Sequence, residues 1–177
     1  MQIPINDELY FSPPEERDIP SYVEYMNDFE LFRQTLNVPH PYTEKDAKWF
    51  VNYCKEQEQK FGHPLNFVIR AKDGSMRGGA GFLGFNTLPA TAHRDEIGYW
   101  VAAPFRGQGI MSAALPVLLE YGKNVRKLTR FDATVYATNP VSAGLLVKNG
   151  FTQEGIRSKA FLKNGQFIDA LLYGKSV

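Results

Sequence analysis

The 177-residue sequence is poor in several features, and each scarcity excludes a class of protein. Cysteine occurs once, at Cys54, so no disulfide can form within the chain and a reducing compartment is expected. No apolar run reaches the length of a membrane-spanning helix. The N-terminus also lacks the basic start and apolar core of a signal peptide. These features together predict a cytoplasmic protein.

Charge and metal-ligand patterns are equally sparse. Twenty basic and nineteen acidic side chains give a net charge of +1, which argues against a nucleic-acid-binding protein. The three histidines have no metal-ligand spacing, so no metal site is predicted. An apolar fraction of 44% is typical of a globular protein, and neither a repeat nor a linker is visible. We therefore predict one domain over residues 1–177.

The most informative stretch runs from His93 to Ser112. Its first half alternates like a strand, Arg106-Gly107-Gln108-Gly109 follows, and an apolar run typical of a helix comes next. A glycine loop between a strand and a helix N-terminus is suited to binding anions, because unpaired N–H groups point outward there. The G-x-G-x-x-G motif of dinucleotide-binding proteins does not match, because Ser112 stands in place of its third glycine. The phosphate loop of nucleotide triphosphatases does not match either, because no Gly-Lys-[Ser/Thr] follows. A simple tight turn remains the alternative.

Periodicity and turn chemistry predict the other elements. They are a strand at 9–11, a helix capped by Asp18, a helix from Thr43 to about Phe61, strands at 66–71 and 76–85, a helix at about 110–125, a strand at 130–137, a helix capped by Asn139 and a hairpin turning at Asn164-Gly165. Glycines 78, 79 and 81 predict a bulge or a close backbone contact in the second of these strands. The strands before and after the helix at about 110–125 should be parallel.

Six aromatic residues lie in and around the first two predicted helices, and two interpretations of them stay open. They either line a pocket or form core, and burial tendencies favour core. They are Tyr22, Tyr25, Phe29, Phe32, Tyr42 and Trp49.

Four stretches of the sequence carry a resemblance to a known family. Arg106 to Gly109 resembles the [RQ]-x-x-G-x-[GA] loop of the GNAT superfamily of acyl-CoA N-acyltransferases. Similarity to its RimJ/RimL-like branch, named for enzymes that acetylate ribosomal-protein N-termini, extends to the flanking EIGYWV, the later NPVSAGLLVKNGF and the earlier VPHPYTEKDAKWF. The resemblance implies an α/β fold with a mixed, mostly antiparallel sheet of about seven strands, a central parallel pair that splays apart, and about four helices.

The resemblance also implies acetyl-CoA as co-substrate and assigns residues to it. Backbone groups of Trp100 and Val101 would pair with the pantetheine arm between the splayed strands. N–H groups from Gly107 to Met111 would bind the pyrophosphate, with Arg106 adding charge. The complete predicted cofactor set is Trp100, Val101, Arg106, Gly107, Gln108, Gly109, Ile110, Met111, Ser112, Asn139 and Lys148.

The catalytic residues are also assigned by resemblance. Glu96 matches a frequent GNAT general base, and a strand-edge salt bridge, for example with Arg94, is the alternative. The tyrosine that protonates the leaving thiolate in many GNATs is replaced by Leu146, so Ser142 becomes the candidate acid. Ser142 is equally well interpreted as a serine bonded to the backbone of a helix first turn. Cys54 lacks support as a nucleophile.

The resulting hypothesis is an N-acetyltransferase that moves an acetyl group directly from acetyl-CoA to a primary amine. The amine belongs to a protein N-terminus or to a small molecule. The protein is expected to be a monomer or a homodimer. No nucleic-acid or membrane partner is expected. A GNAT-fold acyl-CoA binder or sensor without turnover is the alternative, suggested by Leu146.

Overall fold

The computed structural model describes residues 1–84 and 88–177. Those residues contain eight strands and five α-helices, together with three short 3-10 turns. In chain order they are β1 (Ile3–Pro4), β2 (Leu9–Ser12), α1 (Ile19–Met26), α2 (Phe29–Gln34), α3 (Glu44–Phe61), β3 (Asn66–Ala71), β4 (Met76–Phe82), β5 (Arg94–Val101), α4 (Ile110–Asn124), β6 (Arg130–Tyr136), α5 (Pro140–Lys148), β7 (Thr152–Lys163) and β8 (Gln166–Ser176).

All eight strands belong to one mixed sheet in the order β1-β2-β3-β4-β5-β6-β8-β7. The β1/β2, β2/β3, β3/β4, β6/β8 and β7/β8 ladders are antiparallel, whereas β5 and β6 pair in parallel. The predicted βαβ unit is therefore confirmed, with α4 as the crossover between the parallel strands. The structure has one strand and one helix more than expected. These are β1 and α2, which are too short to show periodicity.

The chain divides into two compact units. Unit 1 contains residues 1–82 and 99–114, and unit 2 contains residues 83–98 and 115–177. The strand β5 and the helix α4 each contribute one end to each unit.

Unit 1 has an apolar core on which α1 and α3 pack. It includes Tyr22, Met26, Leu31, Tyr42, Ala47, Val51, Val68 and Met76. Helix α3 begins as predicted at a Thr43 capping box, in which the Thr43 hydroxyl accepts from the Asp46 N–H and Asp46 bonds back to Thr43. It ends at Gly62, which adopts the left-handed φ of +74° that favours glycine.

Asp18 precedes α1 as predicted, but its side chain does not cap that helix. Asp18 is buried and forms a bidentate ion pair with Arg70 of β3, with both N–O distances at 2.7 Å. The Arg70 Nε also donates to the Ser12 hydroxyl at 2.6 Å. The predicted cap is therefore wrong. Leaving the buried Arg70 guanidinium unpaired would cost more than leaving the helix N-terminus without a side-chain cap.

Unit 2 contains the alternating strand β6, whose Phe131, Ala133 and Val135 are buried. In α4, Leu115, Leu118 and Leu119 are buried, whereas Val125 lies beyond the end of the helix and is 47% exposed. The β7–β8 hairpin turns at Asn164 and Gly165, with φ of 50° and 75°, which confirms the two-residue turn.

The strand predicted over 76–85 ends at Phe82. Phe85, the last residue of that prediction, lies outside the described residues. Within 1–84 and 88–177, no helix combines the length and apolar character that crossing a membrane requires.

Candidate active site

The loop after β5 has the backbone geometry of an anion-binding site. Gly107 and Gly109 adopt left-handed φ values of 73° and 74°, which side chains rarely tolerate. The first bond within α4 runs from the Ala113 N–H to the Gly109 carbonyl at 3.0 Å. The N–H groups of residues 110–112 therefore precede the helical ladder, as expected at a helix N-terminus. We call residues 106–112 the anion loop.

Open space lies above the glycines of the anion loop. A Cβ built on Gly107 or Gly109 would meet no heavy atom within 4 Å, and the residues from Arg106 to Gly109 are exposed. A pyrophosphate can therefore approach the backbone amides, and the positive end of the α4 dipole favours its charge. The loop residues thus fit the diphosphate of coenzyme A.

Arg106 extends across the anion loop toward α2. Its Nη2 pairs with the Asp28 carboxylate, and its Nε donates to the Val101 carbonyl at 3.1 Å. Asp28 also caps α2 by accepting from the Glu30 N–H at 2.9 Å. Arg106 thereby ties the loop to the start of α2, a contact that the sequence did not reveal.

Two glycines of β4 allow the end of β5 to approach closely. A Cβ on Gly78 would lie 2.3 Å from the Trp100 carbonyl oxygen, and one on Gly79 would lie 2.7 Å from the Trp100 indole nitrogen. The expected close backbone contact is confirmed at Gly78. The Trp100 ring also lies 6.2 Å from the Tyr22 ring of the unit 1 core. The backbone of Trp100 and Val101 is thus held between β4 and the anion loop.

The parallel ladder of β5 and β6 is short. It pairs Arg94, Asp95 and Glu96 with residues 130–132 and stops there, although β5 continues to Val101 and β6 to Tyr136. A parallel pair that loses its backbone bonds while both strands continue leaves N–H and C=O groups available to a ligand in the strand plane. Within unit 2, β5 therefore continues past its last register pair with β6 at residues 97–98.

Glu96 is the last β5 residue of that ladder, and its side chain is partly buried. Its carbonyl accepts from the Leu83 N–H at 2.9 Å. The alternative partner Arg94 instead contacts Asp132 of β6 at 3.0 Å. Among the described residues no ion pair involves Glu96, so the salt bridge with Arg94 is wrong and the carboxylate remains a candidate base.

Sequence reasoning missed Asp95, the residue that anchors this end of β5. Asp95 is 1% exposed and accepts from the Arg126 guanidinium at 2.7 Å and the Glu96 N–H at 2.8 Å. It also accepts from the Gly84 N–H at 3.1 Å. The alternation that buries Ile97 places Asp95 on the same face, and a carboxylate at a buried position signals a cationic partner.

Helix α5 begins at the predicted Asn139-Pro140 pair. The Asn139 side-chain oxygen accepts from the Ser142 N–H at 3.1 Å, and the Asn139 N–H donates to the Tyr136 carbonyl at 2.8 Å. The cap is confirmed, and it places the partly buried Ser142 in the first turn. Leu146 is fully buried, so the position of the usual tyrosine serves the core. Lys148 is exposed in the last turn.

The six aromatic residues near the first helices do not behave as one set. Tyr22 and Tyr42 are core, and burial raises the pKa of Tyr42 to about 12. Phe29 is 55% exposed and Trp49 is 64% exposed. The core interpretation therefore holds for the two buried tyrosines and for the partly buried Tyr25, which packs against their cluster, but not for Phe29 and Trp49.

Cys54 is buried in α3, and this burial raises the pKa of its thiol to about 12. A thiol that stays protonated is a poor nucleophile, so covalent catalysis by Cys54 has no structural support. In the part of the chain that the structure describes, no three potential metal ligands cluster.

Comparison with known proteins identifies the family. The model of the acetyltransferase (GNAT) domain matches residues 8–152. The chain belongs to the GNAT acetyltransferase family. It is 30% identical over 146 residues to the ribosomal-protein-serine acetyltransferase of Escherichia coli (strain K12), covering 82% of this chain and 79% of that protein. It is 26% identical over 164 residues to the L-amino acid N-acetyltransferase AaaT of the same organism, covering 92% and 94%.

Solved structures show the same GNAT fold. RimL, a ribosomal alpha-N-protein acetyltransferase in complex with coenzyme A, matches with a TM-score of 0.88 at 23% identity, covering 100% of this chain and 98% of that one. The self-immunity acetyltransferase MccE in complex with acetyl-CoA and AMP matches with a TM-score of 0.83 at 23% identity, covering 98% and 94%. The predictions of the family, the fold and an N-acetyltransferase are thereby confirmed.

Proposed function

We propose that the protein transfers an acetyl group directly from acetyl-CoA to the primary amine of a protein N-terminus or a small molecule. The observation that carries this proposal is the anion loop, whose backbone amides precede the first bond of α4 beneath open space. The short β5/β6 ladder adds unpaired strand backbone, which suits an extended pantetheine arm.

The cofactor residues have distinct tasks in this proposal. The N–H groups of residues 107–111 bind the pyrophosphate, with Gln108 and Ser112 beside them. Arg106 adds positive charge, for which it exchanges part of its contact with Asp28. Asn139 and Lys148 contribute from α5. The whole chain, residues 1–177, acts as one GNAT domain.

Backbone groups of Trp100 and Val101 orient the arm and its thioester in this proposal. An N–H donor aimed at the thioester carbonyl stabilises the negative charge that develops during attack by the amine. The close packing of Gly78 against Trp100 supports this role, because a preorganised donor needs a backbone that does not shift.

Glu96 and Ser142 handle protons in this proposal. Glu96 takes a proton from the attacking amine, directly or through one water, since an ammonium group has no lone pair for attack. Ser142 donates a hydrogen bond or proton to the departing thiolate. Its position in the first turn of α5 supports this role, as does the burial of Leu146 where many GNATs carry tyrosine.

The curated relatives favour catalysis over the non-catalytic alternative, because they are named as acetyltransferases. Their names specify a ribosomal-protein serine in one case and L-amino acids in the other. We accordingly keep both acceptor classes. A cytoplasmic location is part of the proposal, while a monomeric or homodimeric state stays a prediction.

Titration calorimetry with acetyl-CoA tests the proposal first, and we expect saturable binding in the micromolar range typical of enzyme substrates, about 1 µM to 1 mM. A panel of amines, amino acids and peptides is then assayed by release of the coenzyme A thiol. Binding without thiol release from any acceptor would support the non-catalytic alternative. Absence of binding at millimolar acetyl-CoA would remove the proposal altogether.

Ser142→Ala separates chemistry from binding. We expect a lower kcat with unchanged affinity for acetyl-CoA, since the hydroxyl acts only on the leaving group. Ser176→Ala, a change at an exposed serine at the end of β8, is the matched control and should leave both quantities unchanged. Equal kcat values for the Ser142 variant and the wild type would exclude Ser142 as the acid.

A further inference from the structure

Tyr136, the last residue of β6, has a buried hydroxyl that the proposed chemistry does not use. The residue is 5% exposed, and within the described part of the chain its Oη has no hydrogen-bond partner. Buried polar groups in proteins are nearly always paired, because an unpaired one loses its hydration without replacement. The Tyr136 hydroxyl is therefore available to a partner that arrives with a ligand.

The surroundings of Tyr136 are irregular in a way that is common near binding sites. The β7/β8 register changes between Arg157 and Phe161, which marks a bulge at residues 158–160. Within it Lys159 has a φ of 50°, and its N–H donates to the Asp169 carboxylate at 2.7 Å. Phe161, the next residue after the bulge, lies 5.1 Å from the Tyr136 ring. The ring is therefore held in place while its hydroxyl remains unpaired.

Tyr136 lies on the same face of β6 as Asp132, the register partner of Glu96. Phe131, Ala133 and Val135 are buried on one face, so alternation places Asp132, Thr134 and Tyr136 on the other.

The face of Glu96 follows from two contacts. Asp132 is the register partner of Glu96, and Arg94, two residues before Glu96, contacts the Asp132 carboxylate. Side chains two residues apart on a strand share a face. Tyr136 and Glu96 therefore point to the same side of the sheet, the side from which the amine must be deprotonated.

We propose that the Tyr136 hydroxyl donates a hydrogen bond to a carbonyl or carboxylate oxygen next to the acceptor amine, so that the acceptor is an α-aminoacyl compound. This inference rests on the proposed function and narrows its acceptor class. Peptide N-termini and free amino acids share this chemistry, whereas simple alkyl amines lack it. Burial raises the pKa of Tyr136, which keeps the hydroxyl protonated and able to donate.

The test compares serinamide with ethanolamine, which has the same hydroxymethyl and amine groups but no carbonyl. We expect the wild type to prefer serinamide in kcat/KM, and Tyr136→Phe to reduce that preference about five- to tenfold, the usual worth of one hydrogen bond. The two amines differ in basicity, but this difference is the same for both enzymes and cancels in the ratio.

Tyr173→Phe is the matched control. Tyr173 is equally buried, but it is the register partner of Ala133 on the opposite face, and its hydroxyl contacts Gln153 at 3.4 Å. We expect this variant to keep the wild-type ratio. The Tm of Tyr136→Phe should be unchanged or raised, because the ring contact with Phe161 remains and an unpaired hydroxyl is removed.

The outcomes separate this inference from the proposed function. If the wild type acetylates both amines and Tyr136→Phe leaves the ratio unchanged, the inference is wrong while the proposed function stands. If the wild type acetylates no amine, both fall. Free serine and a serine-initiated tripeptide are assayed in parallel, and the one whose kcat/KM falls further in Tyr136→Phe identifies the natural source of the oxygen.

Discussion

The two ends of strand β5 use their polar groups in opposite ways. At the start, in unit 2, Asp95 is buried and accepts from Arg126, Gly84 and Glu96. At the end, in unit 1, the chain passes into an exposed loop whose amides precede the bonds of α4. One end thus satisfies its polar groups internally, and the proposed function assigns those of the other end to a ligand.

This difference explains how one strand can serve both stability and binding. A buried carboxylate fixes the backbone beside Glu96, because each of its donors restricts a different segment. An exposed row of amides is tolerated at the other end because water bonds to it when no ligand is present. Substitutions at the two ends should therefore affect different measurements, stability at the start and affinity at the end.

The largest expected effect is that of Asp95→Ala on stability. The substitution removes the carboxylate that pairs with Arg126, whose side chain is 9% exposed, so we expect a loss of about 3–5 kcal/mol in the free energy of unfolding. Urea denaturation measures it. Glu8→Ala removes the exposed pair with Lys72 and should change stability little. A similar small change for both variants would mean that Asp95 does not anchor β5.

Next in size is the effect of Glu96→Gln on catalysis. The amide keeps the shape of the side chain but cannot accept a proton, so we expect kcat to fall about a hundredfold. Calorimetry should show unchanged affinity for acetyl-CoA. Glu24→Gln, an exposed change on α1, is the control. Wild-type kcat in the Glu96 variant would exclude this residue as the base.

At the other end of β5, Gly109→Ala should weaken acetyl-CoA binding about tenfold. The added Cβ has room but disfavours the φ of 74°, which costs about 1–2 kcal/mol and tilts the loop amides. Gly62→Ala is a close match, since Gly62 has the same φ and the same open space at the end of α3. Both variants should lose similar stability, and only Gly109→Ala should lose affinity. Equal acetyl-CoA affinities in the two variants would contradict a role for the loop.

The smallest effect is expected from Arg106→Gln. The change removes the pairing with Asp28 and one positive charge beside the anion loop, so the Kd for acetyl-CoA should rise a few-fold. The difference from wild type should shrink at high salt, because exposed charges are screened. A Kd that is unchanged at low salt would show that Arg106 serves only to hold α2.

The sequence alone predicted the features of this protein that depend on local residue preferences. The anion loop, the Thr43 and Asn139 caps and the Asn164-Gly165 turn all follow from preferences that operate over a few neighbouring residues. The order of strand, glycine loop, helix and strand is likewise contained in the linear pattern. These features were predicted because each depends on backbone geometry that a few residue types favour.

The tertiary structure alone decided which polar groups meet. Asp95 and Arg126 are 31 residues apart in sequence, and Asp18 and Arg70 are 52 apart. The bulge that brings Phe161 onto Tyr136 is equally invisible to periodicity. Such contacts depend on which strands become neighbours and on what burial then demands of each charge, and neither is encoded within a local window of sequence.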